Sequence, residues 1–345
     1  MLAIEAIKKI NQKNLPSLTV VTGEDLGQFE LLKEQLLKQI QFNTADLNVA
    51  LFDMKEADYK QVELDLVSLP FFSDEKIMIL DHFVDLTTAK KRHMTDEELK
   101  SFEAYLENPV ETTKLIILAE GKLDSKRRIV KLLKRDAQVF EASELKEQDL
   151  RDYFNKVAQA ENLQFAPTVF DQLLIKSGFQ FSEISKNLSF LKGYKPDGQI
   201  ELEDITEAIP KTLQDNIFDL TQLILKQRVD EARSLVSDLR LQGEDEIKLI
   251  AIMLGQFRIF TQIKLLAEKG RSESQIVSDL SDYLGRKVNP YQVKFAFKDA
   301  RSLSLSFLKK TMACLIETDY QIKSGLYEKD YLFDLALLRI ATANL

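Results

Sequence analysis

Short apolar runs alternate with helical patterns along the first 142 residues of the chain. The runs are rich in β-branched residues and are apolar at consecutive positions, which is typical of strands buried on both faces of a parallel sheet. Between them, apolar residues recur at helical spacing, as at Phe29, Leu32 and Leu36. We therefore predict one α/β domain with strands at Leu18–Thr22, Val49–Phe52, Ile77–Leu80, Leu115–Ala119 and Gln138–Phe140.

From about Leu145 the strand patterns stop, and the rest of the chain has helical spacing. Pro167 suits a helix start and Gly178 suits a helix end, so a small helical domain is predicted first. Longer helical patterns, separated by glycine-containing breaks, then continue to the last residue. The predicted domains are residues 1–142, 143–211 and 212–345.

Composition favours a folded, helix-rich protein and restricts how it binds nucleic acid. The chain has 345 residues, of which 45% are hydrophobic and 30% charged, with only 11 glycines and 7 prolines. Its formal net charge of -8 argues against a protein that coats nucleic acid through its overall charge. Any DNA contact is therefore expected to be local.

Several classes of site and location are not expected from this sequence. With two histidines and one cysteine, Cys314, a metal site built from histidine and cysteine is not expected, and Cys314 is interpreted as a buried thiol. The N-terminal residues lack the pattern of a signal peptide, and runs such as Leu115–Ala119 are far shorter than a membrane span. A cytoplasmic location without membrane contact is expected.

The loop after the first predicted strand lies where an α/β protein places a phosphate-binding loop. In a P-loop counted from Gly23, the final Gly-Lys-Ser/Thr falls on residues 28–30, which are Gln-Phe-Glu. The lysine for the phosphates and the hydroxyl for magnesium are therefore missing. Negative charge at Glu24 and Asp25 also disfavours an anion at the helix start. We interpret the segment as a tight turn in which these two residues cap the helix.

The sequence predicts neither a catalytic site nor a cofactor. Asp81 ends the third predicted strand, as a magnesium-binding aspartate does in ATPases, but without a P-loop we interpret it as a helix cap or loop hydrogen bond. The nucleophile motif GxSxG is absent, and neither His82 nor His93 has a recognisable partner pattern.

The loop Ser68–Lys76, between a predicted helix at Tyr59–Val67 and the third strand, has two interpretations. It contains a run of four apolar residues, Leu69, Pro70, Phe71 and Phe72. Adjacent phenylalanines in a loop do not both easily point inward, and an exposed aromatic wedge would anchor a partner. In the alternative, both rings cap the core of the sheet.

Two groups of residues are candidates for local contact with DNA. The first is the basic segment around an apolar helical pattern, at Lys126, Arg127, Arg128, Lys131, Lys134 and Arg135. It forms either a positive patch for nucleic acid or a solvated helix face, whereas Lys90-Lys91-Arg92 is interpreted as an exposed loop. The second is the tyrosine group at Tyr320, Tyr327 and Tyr331, which either stacks on bases or packs a helix end; packing is favoured.

Four segments, in this order and spacing, resemble the delta subunit of the bacterial DNA polymerase III clamp loader over essentially the whole chain. They are LTVVTGEDLGQFE at 18–30, SLPFFSDEKIMIL at 68–80, KLIILAEGKLDSKRR at 114–128 and DYQIKSGLYEKDYLFDLALL at 319–338. The resemblance implies an AAA+-like domain with a degenerate P-loop at residues 1–142, a helical lid at 143–211 and a helical collar at 212–345.

The resemblance also implies a function without catalysis. The apolar loop pair, here Phe71 and Phe72 with Leu69 and Pro70 beside it, would insert into the sliding clamp (beta) and open the ring. The implied partners are the clamp-loader ATPase subunits (tau/gamma), delta-prime and, through the complex, primed DNA. An aromatic near the last helix would meet bases at the primer-template junction, and Leu326 or Tyr327 occupies that region.

Two other functions remain alternatives. The chain could be an ATP-hydrolysing AAA+ clamp-loader subunit, against which the missing lysine argues. It could also be a helical scaffold protein without a clamp partner.

Overall fold

The structure is a computed structural model that describes residues 2–43, 45–70, 73–284, 288 and 290–343. The chain divides into two compact units. The first consists of residues 1–162 and 180–189, and the second of residues 163–179 and 190–345.

Strands and helices are numbered in chain order. The strands are β1 Leu18–Gly23, β2 Val49–Asp53, β3 Lys76–Asp81, β4 Thr113–Glu120, β5 Gln138–Ala142, β6 Gln164–Phe165 and β7 Gln199–Ile200. The helices are α1 Ala3–Ile7, α2 Leu26–Gln39, α3 Tyr59–Val67, α4 Asp96–Glu107, α5 Arg128–Asp136, α6 Glu147–Ala160, α7 Pro167–Lys176, α8 Phe181–Tyr194, α9 Leu202–Ala208, α10 Leu213–Leu225, α11 Val229–Leu241, α12 Glu246–Glu268, α13 Glu273–Leu284, α14 Pro290–Ser302, α15 Leu305–Lys323 and α16 Lys329–Thr342.

The first unit is built on a parallel sheet with the strand order β2-β3-β4-β1-β5. Every residue of β1 is buried, because β1 has a strand on each side and helices over both faces. On one face, strand residues such as Val20, Leu80 and Ile117 share a core with α3, α4 and α5. Helices α1 and α2 cover the opposite face of the sheet. The predicted parallel α/β domain and its five strands are confirmed.

Strand β1 ends at Gly23, a position that no residue with a β-carbon would fit. Gly23 has φ +139°, and a β-carbon built on it would lie 2.1 Å from the carbonyl oxygen of Ala142 at the end of β5. The Gly23 amide donates to the Gly121 carbonyl at 3.0 Å, and the Gly121 amide donates back to the Gly23 carbonyl at 2.9 Å. The ends of β1, β4 and β5 are therefore drawn together by direct backbone contact.

The second unit contains a strand pair that the sequence did not predict. Strands β6 and β7 are two residues each and pair in parallel, so the expectation that strands stop at residue 145 is wrong in this detail. Nearby, the Lys176 ammonium at the end of α7 donates to the carbonyls of Ile205 at 2.8 Å and Ile209 at 2.5 Å. A lysine from α7 thus caps the C-terminal end of α9.

The long helix α12 packs against α10, α13, α14, α15 and α16, and α11 packs against α10 and α16. Helix α12 is long and apolar enough to cross a membrane, a test that the core helices of soluble proteins also pass. Its residues Leu249, Met253, Phe257 and Phe260 are buried in the core that α12 shares with its neighbours, including α14, α15 and α16. We interpret α12 as the central helix of a bundle, and the predicted helical C-terminal part is confirmed.

A buried carboxylate joins three helices of the second unit. Glu246, 2% exposed at the start of α12, accepts from Arg240 of α11 at 2.7 Å and lies 3.1 Å from Lys329 of α16. Arg240 also donates to Asp334 of α16 at 3.0 Å. Burial by itself raises the pKa of Glu246, but its interactions with the cations of Arg240 and Lys329 outweigh it and leave that pKa lowered.

Replacing Gly23 by alanine is expected to destabilise the first unit by about 3 kcal/mol, because the methyl group would clash with backbone and the φ angle would be strained. Gly121→Ala is the matched control. Its φ of +108° is also positive, but the nearest atom would be 3.7 Å away, so strain of about 1 to 2 kcal/mol is the main cost. Urea unfolding followed by circular dichroism measures the free energy of unfolding of each variant. Equal decreases in the two variants would contradict a clash at Gly23.

Glu246→Gln is expected to lower the free energy of unfolding by about 2 kcal/mol at pH 7, because charge-assisted hydrogen bonds are lost. The pKa of Glu246 is lower in the folded state, so its stabilisation is present above the ordinary value of 4.5 and is lost as the pH falls through the folded value. The difference between variant and wild type should therefore shrink in acid. Glu268→Gln, exposed on the same helix, is the control.

Candidate binding loop and degenerate nucleotide site

The loop between β1 and α2 uses its own backbone amides internally. The Asp25 amide donates to the Ala142 carbonyl at 3.1 Å, and the Gly23 amide is already bonded to Gly121. Asp25 is the N-cap of α2 and accepts from the Gln28 amide at 3.0 Å, which confirms its predicted capping role. The Gln28 side chain then donates to the Asp25 carboxylate at 2.7 Å and to the Ser143 carbonyl at 2.9 Å. The amides of Gly23, Asp25 and Gln28 are therefore occupied by protein acceptors and are not free to hold a phosphate.

Negative charge surrounds the same position. A cleft of about 330 Å³ beside the start of α2 is lined by Glu24, Asp25, Glu141, Ala142, Ser143 and Glu144. Its four carboxylates would repel a nucleoside triphosphate, and no lysine is among the lining residues. The cleft has the position of a nucleotide site without the chemistry of one.

Asp81, at the end of β3, has protein partners on both carboxylate oxygens. Lys33 of α2 donates to one oxygen at 2.6 Å, and the His82 backbone amide donates to the other at 2.8 Å. The predicted loop hydrogen bond is confirmed, and the ion pair to Lys33 is an addition to it. His82 in turn lies 3.1 Å from Asp53, whose pKa is lowered by a hydrogen bond from the Lys55 amide and by the nearby imidazole. Among the described residues, no cluster of His, Cys, Asp and Glu could hold a metal ion.

The apolar loop predicted to bind a partner follows α3. Helix α3 spans Tyr59–Val67, as predicted, and Leu69 just beyond it is 67% exposed, while Pro70 is half-buried. Phe71 and Phe72 lie outside the described residues. At its N-terminal side, the loop therefore presents an apolar side chain to solvent.

Exposed apolar residues continue from the loop onto α3. Leu64 is 70% exposed and Val67 54% exposed, on the side of α3 away from its buried residues. We call Leu64, Val67 and Leu69 the α3 apolar surface. Sequence reasoning missed Leu64 and Val67, although both fall outside the helical period of the buried positions Tyr59, Val62 and Leu66.

A buried lysine ties the two ends of the loop together. Lys76, the first residue of β3, is 7% exposed, and its ammonium donates to the Asp65 carbonyl of α3 and, at 2.7 Å, to the Ser68 hydroxyl. At the other end, the Ser73 hydroxyl donates to the Asn48 side chain at 2.9 Å. The loop is thus held at its base, and Leu69 beside that base is exposed. Sequence reasoning missed Lys76, because its partners lie outside the strand to which it belongs.

Some side chains of the basic segment are exposed without an ion pair to any residue that the structure describes, and others bind neighbouring protein groups. Helix α5 begins at Arg128, so Lys126 and Arg127 precede it and do not share the predicted helix face. Arg127 donates to the Asp85 carbonyl and lies 3.5 Å from Asp124, with its side chain 16% exposed. Arg128 pairs with Glu107, whereas Lys126 and Lys131 are exposed.

The tyrosine group lies at the turn between α15 and α16 and faces solvent. Gly325 has φ +69° and ends α15, and the Leu326 amide returns to the Gln321 carbonyl at 3.3 Å. Tyr327 is 67% exposed, and Tyr320, Leu326 and Tyr331 are also exposed. The expectation that these tyrosines pack a helix end is therefore wrong.

Comparisons of sequence and of structure with known proteins agree on one family. The family model for the DNA polymerase III delta subunit matches residues 20–143, and that for its C-terminal domain matches residues 214–340. The DNA polymerase III subunit delta of Bacillus subtilis (strain 168) is 30% identical over 303 residues, covering 87% of this chain and 86% of that protein. The solved structure of the Bacillus subtilis DNA clamp loader delta protein has a TM-score of 0.60 at 26% identity, covering 99% of this chain and 98% of that one.

Lys76→Met is expected to loosen the base of the loop, because the Asp65 carbonyl and the Ser68 hydroxyl lose their common donor. We expect a loss of about 1 to 3 kcal/mol in stability and faster amide hydrogen exchange in residues 66–75, measured by mass spectrometry. Lys60→Met, exposed on α3, is the control. Unchanged exchange in the Lys76 variant would show that the lysine does not hold the loop.

Proposed function

Since the chain belongs to the DNA polymerase III delta subunit family, we propose that it is the clamp-loader subunit that binds the sliding clamp and opens it for loading onto primed DNA. Its part in this reaction is binding without chemistry. The observation that carries the proposal is an exposed apolar surface leading into a loop with two adjacent phenylalanines, held at its base by a buried lysine.

The apolar loop is the proposed clamp contact, through Phe71 and Phe72 with Leu69 and Pro70 beside them. Burying one aromatic ring contributes roughly 1.5 to 3 kcal/mol, so two rings supply a substantial share of the roughly 8 kcal/mol of a micromolar complex. The α3 apolar surface is continuous with the loop along the chain and would add to the buried area. The tie from Lys76 to Ser68 reduces the ordering cost on binding, because the loop base is already fixed.

Opening the ring requires the loop to fit the open clamp better than the closed one. A ligand shifts a two-state equilibrium only by its difference in affinity for the two states. A contact that is complete only when the neighbouring clamp interface has moved satisfies this requirement. Release of the clamp then needs a change in the accessibility of the loop, which the ATP-binding partners supply.

The energy for that change comes from other subunits. In this chain, the amides of Gly23 and Asp25 and the Asp81 carboxylate already have protein partners, and the adjoining cleft is acidic, which supports a subunit without ATP hydrolysis. The proposed partners are therefore the tau/gamma ATPase subunits and delta-prime, together with the beta clamp. The proposed location is the cytoplasm, where replication proteins of bacteria act.

The proposed roles follow three segments of the chain. Residues 1–142 are the AAA+-like domain that carries the clamp-binding loop, 143–211 the lid and 212–345 the collar that assembles with the other subunits. Contact with primed DNA is proposed for Lys126, Arg128, Lys131 and Tyr327, whose side chains are exposed. Arg127 has a structural role instead, because its guanidinium is held by Asp85 and Asp124.

Two experiments separate the alternatives from this proposal. Measurable ATP binding by the isolated chain would favour an ATPase subunit over a subunit that only binds the clamp. A pull-down with the sliding clamp that recovers no complex would favour a helical scaffold without a clamp partner.

The double variant Phe71→Ala/Phe72→Ala is expected to lose clamp binding by at least a hundredfold in Kd, because it removes about 3 kcal/mol or more of apolar burial. Titration calorimetry of the full chain with the clamp measures the affinity. The fold and assembly with the other loader subunits should be unchanged, because the rings are proposed to face a partner.

Leu241→Ala/Tyr283→Ala is the matched control for that experiment, since it removes two exposed apolar side chains far along the sequence from the loop. It should bind the clamp like wild type. Wild-type affinity in the Phe71/Phe72 variant would overturn the assignment of the loop.

A further inference from the structure

Two basic loops that are far apart in sequence are hydrogen-bonded to each other in the first unit. One follows β3 and the other follows β4, so both lie at the carboxyl edge of the parallel sheet. The Thr88 amide donates to the Lys122 carbonyl at 2.9 Å, and the Asp124 amide donates to the Leu86 carbonyl at 2.9 Å. We call residues 88–92 and 122–126 the basic loop pair.

A buried aspartate and a largely buried arginine fix the shape of the basic loop pair. The Asp85 carboxylate, 1% exposed, accepts from the backbone amides of His93 at 2.9 Å and Met94 at 3.2 Å. These bonds close the first loop on itself. Arg127 of the second loop donates to the Asp85 carbonyl and so holds the two loops together. The surface is therefore ordered before any ligand binds.

Positive charge is concentrated on the exposed side of this surface. Lys90, Lys91, Arg92, Lys122 and Lys126 are all exposed. Only Arg92 among these five has an ion pair in the described part of the chain, to Asp96 at 3.6 Å. Lys90 is two residues from Thr88, so its Cα lies within roughly 7 Å of the position bonded to Lys122. Lysines separated by about thirty residues in sequence thus form one cluster.

The surroundings of the cluster favour a phosphate backbone over a protein as ligand. Residues 73–189, which contain both loops and are all described, have no exposed large hydrophobic side chain, and Leu26 after β1 is an isolated exposed apolar residue at the same edge of the sheet. Protein interfaces generally need apolar or aromatic anchors at their centre, whereas binding of a nucleic-acid backbone is dominated by lysine and arginine. The remainder of the chain is acidic, so a charge-driven contact with DNA has to be confined to a surface of this kind.

We propose that the basic loop pair binds the phosphate backbone of duplex DNA directly and without sequence preference. The inference rests on the proposed function, which brings this chain to primed DNA, and deepens it by naming a surface of the first unit that would touch that DNA. The binding residues are Lys90, Lys91, Lys122 and Lys126, and Arg127 and Asp85 are positioning residues.

Binding of labelled duplex DNA to the full chain, followed by fluorescence anisotropy from about 50 to 200 mM salt, tests the proposal. The variant Lys90→Glu/Lys91→Glu/Lys122→Glu should bind at least tenfold more weakly at low salt. The slope of log K against log salt should fall by roughly 2.7, since each lost phosphate contact contributes about 0.9. The matching triple arginine variant should bind like wild type.

Lys8→Glu/Lys9→Glu/Lys13→Glu is the control, because it makes the same charge change at three other exposed lysines of the first unit. Equal weakening in the control would mean that net charge alone governs binding, and it would overturn the proposal. So would wild-type affinity in the test variant, or no binding by the wild type at low salt. If the test variant keeps DNA binding but loses a loader subunit, the surface is a protein interface.

Clamp affinity of the same variants separates this inference from the proposed function. The triple glutamate variant should bind the clamp with wild-type affinity by titration calorimetry. The Phe71→Ala/Phe72→Ala variant should keep its DNA affinity. Loss of one activity without the other therefore identifies which of the two assignments fails.

Discussion

The close contact between Gly23 and Ala142 is the constraint that shapes the loop between β1 and α2 in the first unit. It brings the end of β1 against the end of β5 at a distance that no β-carbon permits. The amides of Gly23 and Asp25 are thereby placed on carbonyl oxygens, and α2 is capped by its own aspartate. The corresponding loop holds a triphosphate in P-loop proteins. Here, backbone hydrogen bonds to Gly121 and Ala142 close it. The sheet is left as a support for the loops that follow its strands.

Strand β3 connects two kinds of surface at opposite edges of that support. At its amino end, Lys76 fixes the base of the apolar loop, and beyond its carboxyl end, Asp85 fixes the first basic loop. The six residues of β3 separate these edges by about 17 Å, from a rise of roughly 3.3 Å per residue. Both surfaces share one arrangement, in which a buried charged side chain binds backbone groups at the base of a loop. Hydrogen bonds from the Lys76 ammonium to the Asp65 carbonyl and the Ser68 hydroxyl, and from two backbone amides to one oxygen of the Asp85 carboxylate, limit the cost of burying these charges.

The sequence predicted what depends on local periodicity and failed where partners are distant. The five strands of the sheet and the bounds of α3 follow from apolar runs and helical spacing, and the structure has them within one or two residues. Strands β6 and β7 are too short to show a period. Arg127 was grouped with its basic neighbours because charge is visible in sequence, whereas its bond to Asp85, 42 residues away, is not. Lys76 was missed for the same reason.

The basic surface and the acidic cleft lie at the same edge of the same sheet, and this arrangement bears on how DNA would be oriented. Glu24, Asp25, Glu141 and Glu144 surround the ends of β1 and β5, while the basic loop pair follows β3 and β4. A phosphate backbone is attracted to one part of the edge and repelled by the other. At physiological salt the screening length is about 8 Å, so charges a few strands apart, at about 4.8 Å per strand, still act partly together. Opposite charges side by side thus restrict the position of a duplex more than a uniformly basic edge would, even though no base is read.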